Sequence, residues 1–253
     1  MPSIHGRRIP LSLPRRCIAD VMAVSRGIPM ITVERRAKLA SVVSAKRSSP
    51  GSPSWVVLFI KAFAIVSQRR PELRRSFMTF PFPHLFEASE NFTSVAVARE
   101  YLGEPAVFFG HLRTPERKSL REIAAEMAEL KKAPVESVRP FARMLKYARY
   151  PTPIRRIMWR LAMHLSGRHR VKTFGTFGIT ALGDCGARAL NLCAPTAFNL
   201  SFGPISDGSA EILLYFDHRV IDGQTAVRTL ADVETVLNDE IAAELREAVS
   251  LAA

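Results

Sequence analysis

The stretch YFDHRVIDG, Tyr215 to Gly223, sets His218 directly after an apolar run and places Asp222 four residues further on. A histidine at the end of a strand sits where a substrate can reach it. The ordinary histidine pKa of about 6.5 lets the ring take and return a proton near neutral pH. Proton abstraction by a positioned side chain contributes roughly 10²–10⁴ in rate. For that role one ring nitrogen must be tied down, so that the lone pair of the other faces the reacting group. Asp222 is too close in sequence for spacing alone to assign it; bracing the turn is the role its position suggests. His84, His111, His164 and His169 lack such a setting and read as ordinary satisfied or exposed histidines. With only three cysteines, Cys17, Cys185 and Cys193, a disulfide scaffold is excluded, and their lack of CxxC spacing argues against a cysteine-built zinc site; no metal is expected.

The elements that must position His218 follow from the local pattern. Glu211–Asp217 reads as a strand feeding the histidine. Gly223–Leu237 reads as a helix, with Ala226, Leu230, Val233 and Leu237 on one stripe. Pro29–Arg35, Phe92–Ala98, Ala106–His111, Phe174–Thr180 and Phe198–Phe202 also read as strands, with a turn at Leu102–Pro105. Ala37–Lys46 reads as a helix, residues 48 to 53 (SSPGSP) as a turn, and Phe80–Phe86 as a loop. Trp55–Val66 is the most apolar run. At 12 residues, with Lys61 inside, it is too short to cross a bilayer and reads as a buried helix. Ser119–Lys132 is a scaffold helix whose Ser119 and Glu122 fit a capping box. Strands and helices mix throughout, which predicts an α/β protein in layers.

The chain has 253 residues, 47% of them hydrophobic, which suits one globular α/β domain and excludes a disordered chain. The net charge is +13, and it is uneven. From Ser137 to Gly183 there is no acidic residue and there are ten Lys or Arg, from Arg139 to Lys172. Inside this segment Ile154, Ile157, Met158, Leu161 and Leu165 share a helical face, with Arg155, Arg156 and Arg160 off it and Trp159 nearby. Such a stripe either packs on its own domain, lies on an anionic membrane, or meets an acidic carrier protein. No nucleic-acid motif accompanies the charge. No apolar leader follows the first arginines, so the expected location is cytoplasmic, with the inner membrane face as a candidate peripheral site.

DHRVIDG at the end of an apolar strand resembles the catalytic domain of the 2-oxoacid dehydrogenase acyltransferases, the dihydrolipoamide acyltransferase cores related to chloramphenicol acetyltransferase. Three weaker segments fall in the matching order: RRCIADVMAVSRGIPMITV (Arg15–Val33), FIKAFAIVSQRRPEL (Phe59–Leu73) and TFGTFGITALGDCG (Thr173–Gly186). The resemblance covers roughly residues 15 to 240. It implies a two-layer α/β sandwich of a mixed sheet with helices, chloramphenicol acetyltransferase-like, assembled as a homotrimer or a larger particle with sites between subunits. It implies His218 as general base. It puts Thr180 at the family's oxyanion-binding serine, with the same single O–H donor. It also implies that Asp222 braces the His218 loop by pairing with an N-terminal arginine, for which Arg15 is the best match.

The expected organisation is therefore an N-terminal arm over residues 1–14 and one acyltransferase domain over 15–253, with a basic helical segment at 139–172. The basic segment is longer, and Pro195–Asp217 shorter, than the resemblance leads one to expect. No lipoyl domain is expected before residue 15. These departures favour a standalone enzyme. The expected activity is transfer of an acyl group from a coenzyme A thioester, or an acyl carrier, to a thiol or hydroxyl. The alternatives are a transacylase core served by lipoamide domains in trans and a non-catalytic trimeric scaffold or membrane-binding protein.

Overall fold

The computed structural model describes residues 6–181, 186–187 and 190–250. The arm's first five residues, Cys185 and most of the end of the Thr173–Gly186 segment lie outside the described residues.

In chain order the elements are α1 (Leu13–Ser25), β1 (Met30–Lys38), α2 (Ala40–Arg47), α3 (Trp55–Arg69), β2 (Arg75–Met78), β3 (His84–Glu87), β4 (Phe92–Tyr101) and β5 (Glu104–Arg113). There follow α4 (Leu120–Lys132), α5 (Arg139–Ala148), α6 (Thr152–His164), α7 (Gly167–Phe174), β6 (Phe177–Ala181), β7 (Phe198–Phe202), β8 (Ser209–Asp217), α8 (Gly223–Val236) and α9 (Ala242–Ser250). The main sheet runs β1-β8-β7-β6-β4-β5. It is mixed: β6 pairs parallel with both β4 and β7, and the other pairs are antiparallel. The segment read as a loop at Phe80–Phe86 instead supplies β3, which closes a separate hairpin with β2.

Period-two alternation divides the sheet's two faces. Phe177, Ile179, Phe198, Leu200, Leu214 and Phe216 pack inward against the helices and are at most 2% exposed. Helix α3 supplies the centre: Phe59 stacks on Phe202 with ring centroids 4.1 Å apart, and Phe63 meets Phe177 at 4.6 Å. The lysine inside this apolar helix is satisfied, since Lys61 pairs with Glu244 of α9. Burial of such a cation is tolerable only with a partner of this kind.

Local signals fix several boundaries. Leu102 and Gly103 both take positive φ, +53° and +77°, which makes the β4–β5 turn a two-residue loop of the type that suits strand twist. The Ser119 capping box forms in both directions, with Ser119 Oγ accepting from Glu122 N and Glu122 Oε2 accepting from Ser119 N. Gly110 of β5 lets Leu130 of α4 approach: a Cβ there would lie 2.5 Å from a Leu130 methyl. The basic segment folds as three helices, α5 to α7. Helices α1 and α5 lie against the edge strand β5 and against each other, and α6 packs on α1 and α7. The β5 edge of the sheet is thereby covered.

Candidate active site

Strand β8 is buried along nearly its whole length and delivers its last residue, Asp217, with no exposed surface. A buried carboxylate requires donors. Asp217 accepts from the Arg219 backbone N at 3.1 Å and from Arg219 Nε and Nη2 at 2.9 and 2.8 Å. Arg219 is held in turn with its guanidinium 4.4 Å over the Phe77 ring. Val220 N donates to Asp217 O at 2.8 Å, closing the turn. His218 N donates to the Pro29 carbonyl at 3.2 Å, tying the loop to the entry of β1.

In this frame the His218 side chain is exposed, with its ring edge-on to Phe216 at 5.8 Å. Its Nδ1 is 3.0 Å from the Ile221 carbonyl oxygen. A carbonyl accepts only, so Nδ1 carries the proton and donates. In the neutral ring Nε2 then holds the free lone pair. That is the state a general base requires. The loop borders a hollow of about 390 Å³ that also touches Glu72, Arg75 and Thr225.

Asp222 is the N-cap of α8, and its Oδ1 accepts from Thr225 N at 2.7 Å. That hydrogen bond holds the Asp222 carboxyl below the usual carboxylate range. The expected pair with Arg15 is not formed within the chain. Arg15 sits on an exposed position of α1, a helix packed on α5, α6 and β5. Within one chain, Asp222 instead holds the start of α8.

Thr180 lies elsewhere. It is on β6 and half-buried, and it lines a cavity of about 640 Å³ on the sheet face opposite α3 and α8. Its partner across the sheet is Ser201, whose partner is Leu213. His218 follows Leu213 by five residues. The two candidates are therefore separated by about 16 Å along β8 and about 10 Å across two strand spacings. One chain does not bring His218 and Thr180 together.

The Thr180 cavity is roofed by the basic segment. Arg143, Met144, Tyr147, Trp159 and Phe174 line it from α5, α6 and α7. Trp159 packs on Phe174 at 5.5 Å and edge-on to Tyr147 at 6.5 Å, so the tryptophan faces inward and not away from the protein. Its floor carries a row in one register across four strands: His111, Ser94, Gly178 and Asn199. Gly178 leaves room for the Asn199 amide, since a Cβ there would lie 2.1 Å from Asn199 Oδ1. That oxygen accepts from Thr196 Oγ1 at 2.9 Å.

His111 is the residue that the sequence did not distinguish. Its ring hydrogen-bonds to the Thr173 backbone, and burial, with the Arg143 charge second, pushes its pKa down to about 4. The Nε2 atom has no partner among the described residues. Only the alternation of β5 around His111 hinted at its face. Cys17, by contrast, is inert: burial and Asp20 push its thiol up to about 12, and Sγ donates to the Met144 carbonyl at 3.0 Å. Among the described residues no group of three or more potential ligands could hold a metal ion.

No protein-family model and no curated protein matches the chain. Solved structures do. A dihydrolipoamide acetyltransferase of Azotobacter vinelandii superposes with a TM-score of 0.66 at 20% identity, covering 97% of this chain and 98% of that one. A truncated catalytic core of the 2-oxoacid dehydrogenase multienzyme complex from Thermoplasma acidophilum gives 0.65 at 19% identity, covering 92% and 99%. A chloramphenicol acetyltransferase gives 0.52 at 12% identity, covering 87% and 92%. The chain therefore has the fold of these acetyltransferases, as its sequence leads one to expect. The Azotobacter enzyme was studied for catalytic roles of a serine, a histidine and an asparagine four residues beyond the histidine.

Proposed function

We propose that the protein is a thioester-dependent acyltransferase with His218 as its general base. The observation that carries this reading is the Nδ1 contact to Ile221 O, which leaves Nε2 of an exposed histidine free to accept a proton. The fold adds support, since its solved examples include acetyltransferases matched over nearly their whole length. So does spacing: Asp222 stands four residues after His218, as an asparagine does in the Azotobacter enzyme.

His218 Nε2 takes the proton of the acceptor's thiol or hydroxyl. The freed sulfur or oxygen attacks the thioester carbonyl and forms a tetrahedral oxyanion, to which Thr180 Oγ1 donates. One such donor is worth about 10²–10³ in rate. The oxyanion collapses, the carbon–sulfur bond breaks, and the leaving thiolate recovers the proton from the His218 ring. The products are the acylated acceptor and the free thiol. Coenzyme A is the proposed thiol, with a lipoyl or carrier-protein thiol as the other donor of the same chemistry. No step draws on a metal.

His218 and Thr180 lie at different places on one chain, so the proposed site is completed by a second copy in a homotrimer. The large cavity beside Thr180, walled by Phe109, Met127, Trp159 and Phe174, suits an acceptor with an apolar body. The test is complementation. His218→Ala and Thr180→Val are each expected to lower thiol release from a panel of acyl-CoAs, His218→Ala by roughly 10²–10⁴. Co-refolding the two is expected to restore part of the activity. Full activity in folded His218→Ala would remove the acyltransferase reading. Dead mixtures, with mixed trimers verified, would remove the shared site.

A further inference from the structure

Helix α6 presents its apolar stripe to solvent. Ile154, Ile157, Leu161 and Leu165 are 47, 58, 48 and 53% exposed, although they recur at helical spacing. An amphipathic helix normally turns such a stripe to the core. Here the inward face is Arg155, Ala162 and Met163 instead. Arg155 is anchored by Asp20 of α1, with Nε donating to Oδ2 at 2.6 Å, and both residues are buried. The ion pair fixes the rotation of α6 and turns the isoleucines and leucines out.

The rim of the stripe is cationic. Arg156 and Arg160 are exposed on α6, and Arg149 and Arg168 are exposed near its two ends. None of the four makes an ion pair among the described residues. At the start of α6 a cleft of about 660 Å³ is bordered by Arg8, Arg16, Arg149 and Tyr150. No carboxylate is available nearby in sequence, because residues 137–183 contain none.

We infer that this face docks the protein on an anionic lipid surface, with the α6 stripe at the acyl boundary and the arginines against headgroup phosphates. A bilayer with acidic lipids offers apolar depth under a negative rim, which is the complement of an apolar stripe under a positive one. The same face of a second copy is a poor occupant, since it would set arginines against arginines. At 13 residues α6 lies on the surface and does not cross it, and no helix among the described residues is long and apolar enough to cross a membrane. The inference does not depend on acyl transfer.

The test is flotation of the full chain with phosphatidylcholine vesicles, with and without phosphatidylglycerol. Two double variants accompany it, Arg156→Glu/Arg160→Glu and Ile157→Ser/Leu161→Ser, all at exposed positions. Arg155 is left alone because its loss would unseat the helix. The wild type is expected to float with the acidic vesicles only and to be released by salt. The arginine variant is expected to bind about 30-fold or more weakly, from about 1 kcal/mol for each of the two cations held near the surface. The serine variant should lose binding even in low salt. Sedimentation without lipid should give one oligomeric state for all three proteins. Failure of the wild type to float would overturn the inference, as would equal flotation of all three. A change of oligomeric state in either variant would assign the stripe to a contact between copies and overturn it too.

Discussion

The His218 loop and the α5–α7 segment both attract notice in the sequence for their polar residues, yet they are held in opposite ways. The loop's side chains are closed mainly by near neighbours, with Pro29 and Phe77 as its distant supports. Asp217 takes Arg219, His218 takes Ile221, and Asp222 takes Thr225, each two or three residues away. The segment is held from far off. Arg155 reaches Asp20, 135 positions earlier, and Arg170 donates to the carbonyls of Phe77 and Pro195. A motif closed by near neighbours can be read from nine letters. A helix whose rotation is set by a distant carboxylate cannot.

The sharpest way to break that contrast is to remove the distant anchor. Asp20→Ala leaves Arg155 buried without its partner, and removal of one member of a buried pair typically costs about 3–5 kcal/mol. Urea unfolding should show that loss, whereas Arg156→Ala, at an exposed position, should stay within about 0.5 kcal/mol of wild type. If Asp20→Ala is as stable as Arg156→Ala, the segment is not held by this pair.

This also explains what the sequence could and could not show. The strands at Phe198–Phe202 and Glu211–Asp217, the Ser119 cap and the His218 turn depend on short-range pattern and were legible. Helix α6 was legible as a helix with a stripe, but the periodicity could not tell core from solvent, because Arg155 is the buried residue and Ile157 the exposed one. The roster of ten uncompensated cations shrinks for the same reason: Arg155 is paired with Asp20, and Arg170 is buried and hydrogen-bonded. His111 reads as an ordinary histidine until α5 and α7 close Arg143 and Thr173 around it.

A second measurement follows from that closure. Burial pushes the folded His111 ring down to about 4, against the ordinary histidine value of about 6.5 in the unfolded chain. Between these values the unfolded chain binds the extra proton and the folded one does not. Stability should therefore be fully present above about pH 6.5 and fall as pH drops towards 4, by about 3 kcal/mol at most, then level off. Denaturation curves at intervals over this range, wild type against His111→Gln, would isolate the contribution. An unchanged slope in the variant would mean that the segment does not seal the ring.

The smallest effect belongs to the loop. Asp222 caps α8 through Thr225 N, and its carboxyl is held below the usual range by that bond. A depressed carboxylate contributes stability that is present above its unfolded pKa and lost as pH falls through the folded one, so the cap weakens only in acid. Asp222→Asn keeps an acceptor for Thr225 N and should unfold within a degree or so of wild type at neutral pH, without the acid-dependent component. Asp222→Ala removes the acceptor and should lower the unfolding midpoint modestly, because the cap is exposed. Its larger consequence is expected in turnover. Ile221, whose carbonyl fixes the His218 ring, is the residue before the cap, so a loosened helix start lets the lone pair of Nε2 wander. Thiol release should then fall in Asp222→Ala more than in Asp222→Asn, with the apparent affinity for acyl-CoA nearly unchanged. Equal turnover in the two variants would mean that the Ile221 contact alone orients the ring, and that the loop is closed even more locally than its capping bond suggests.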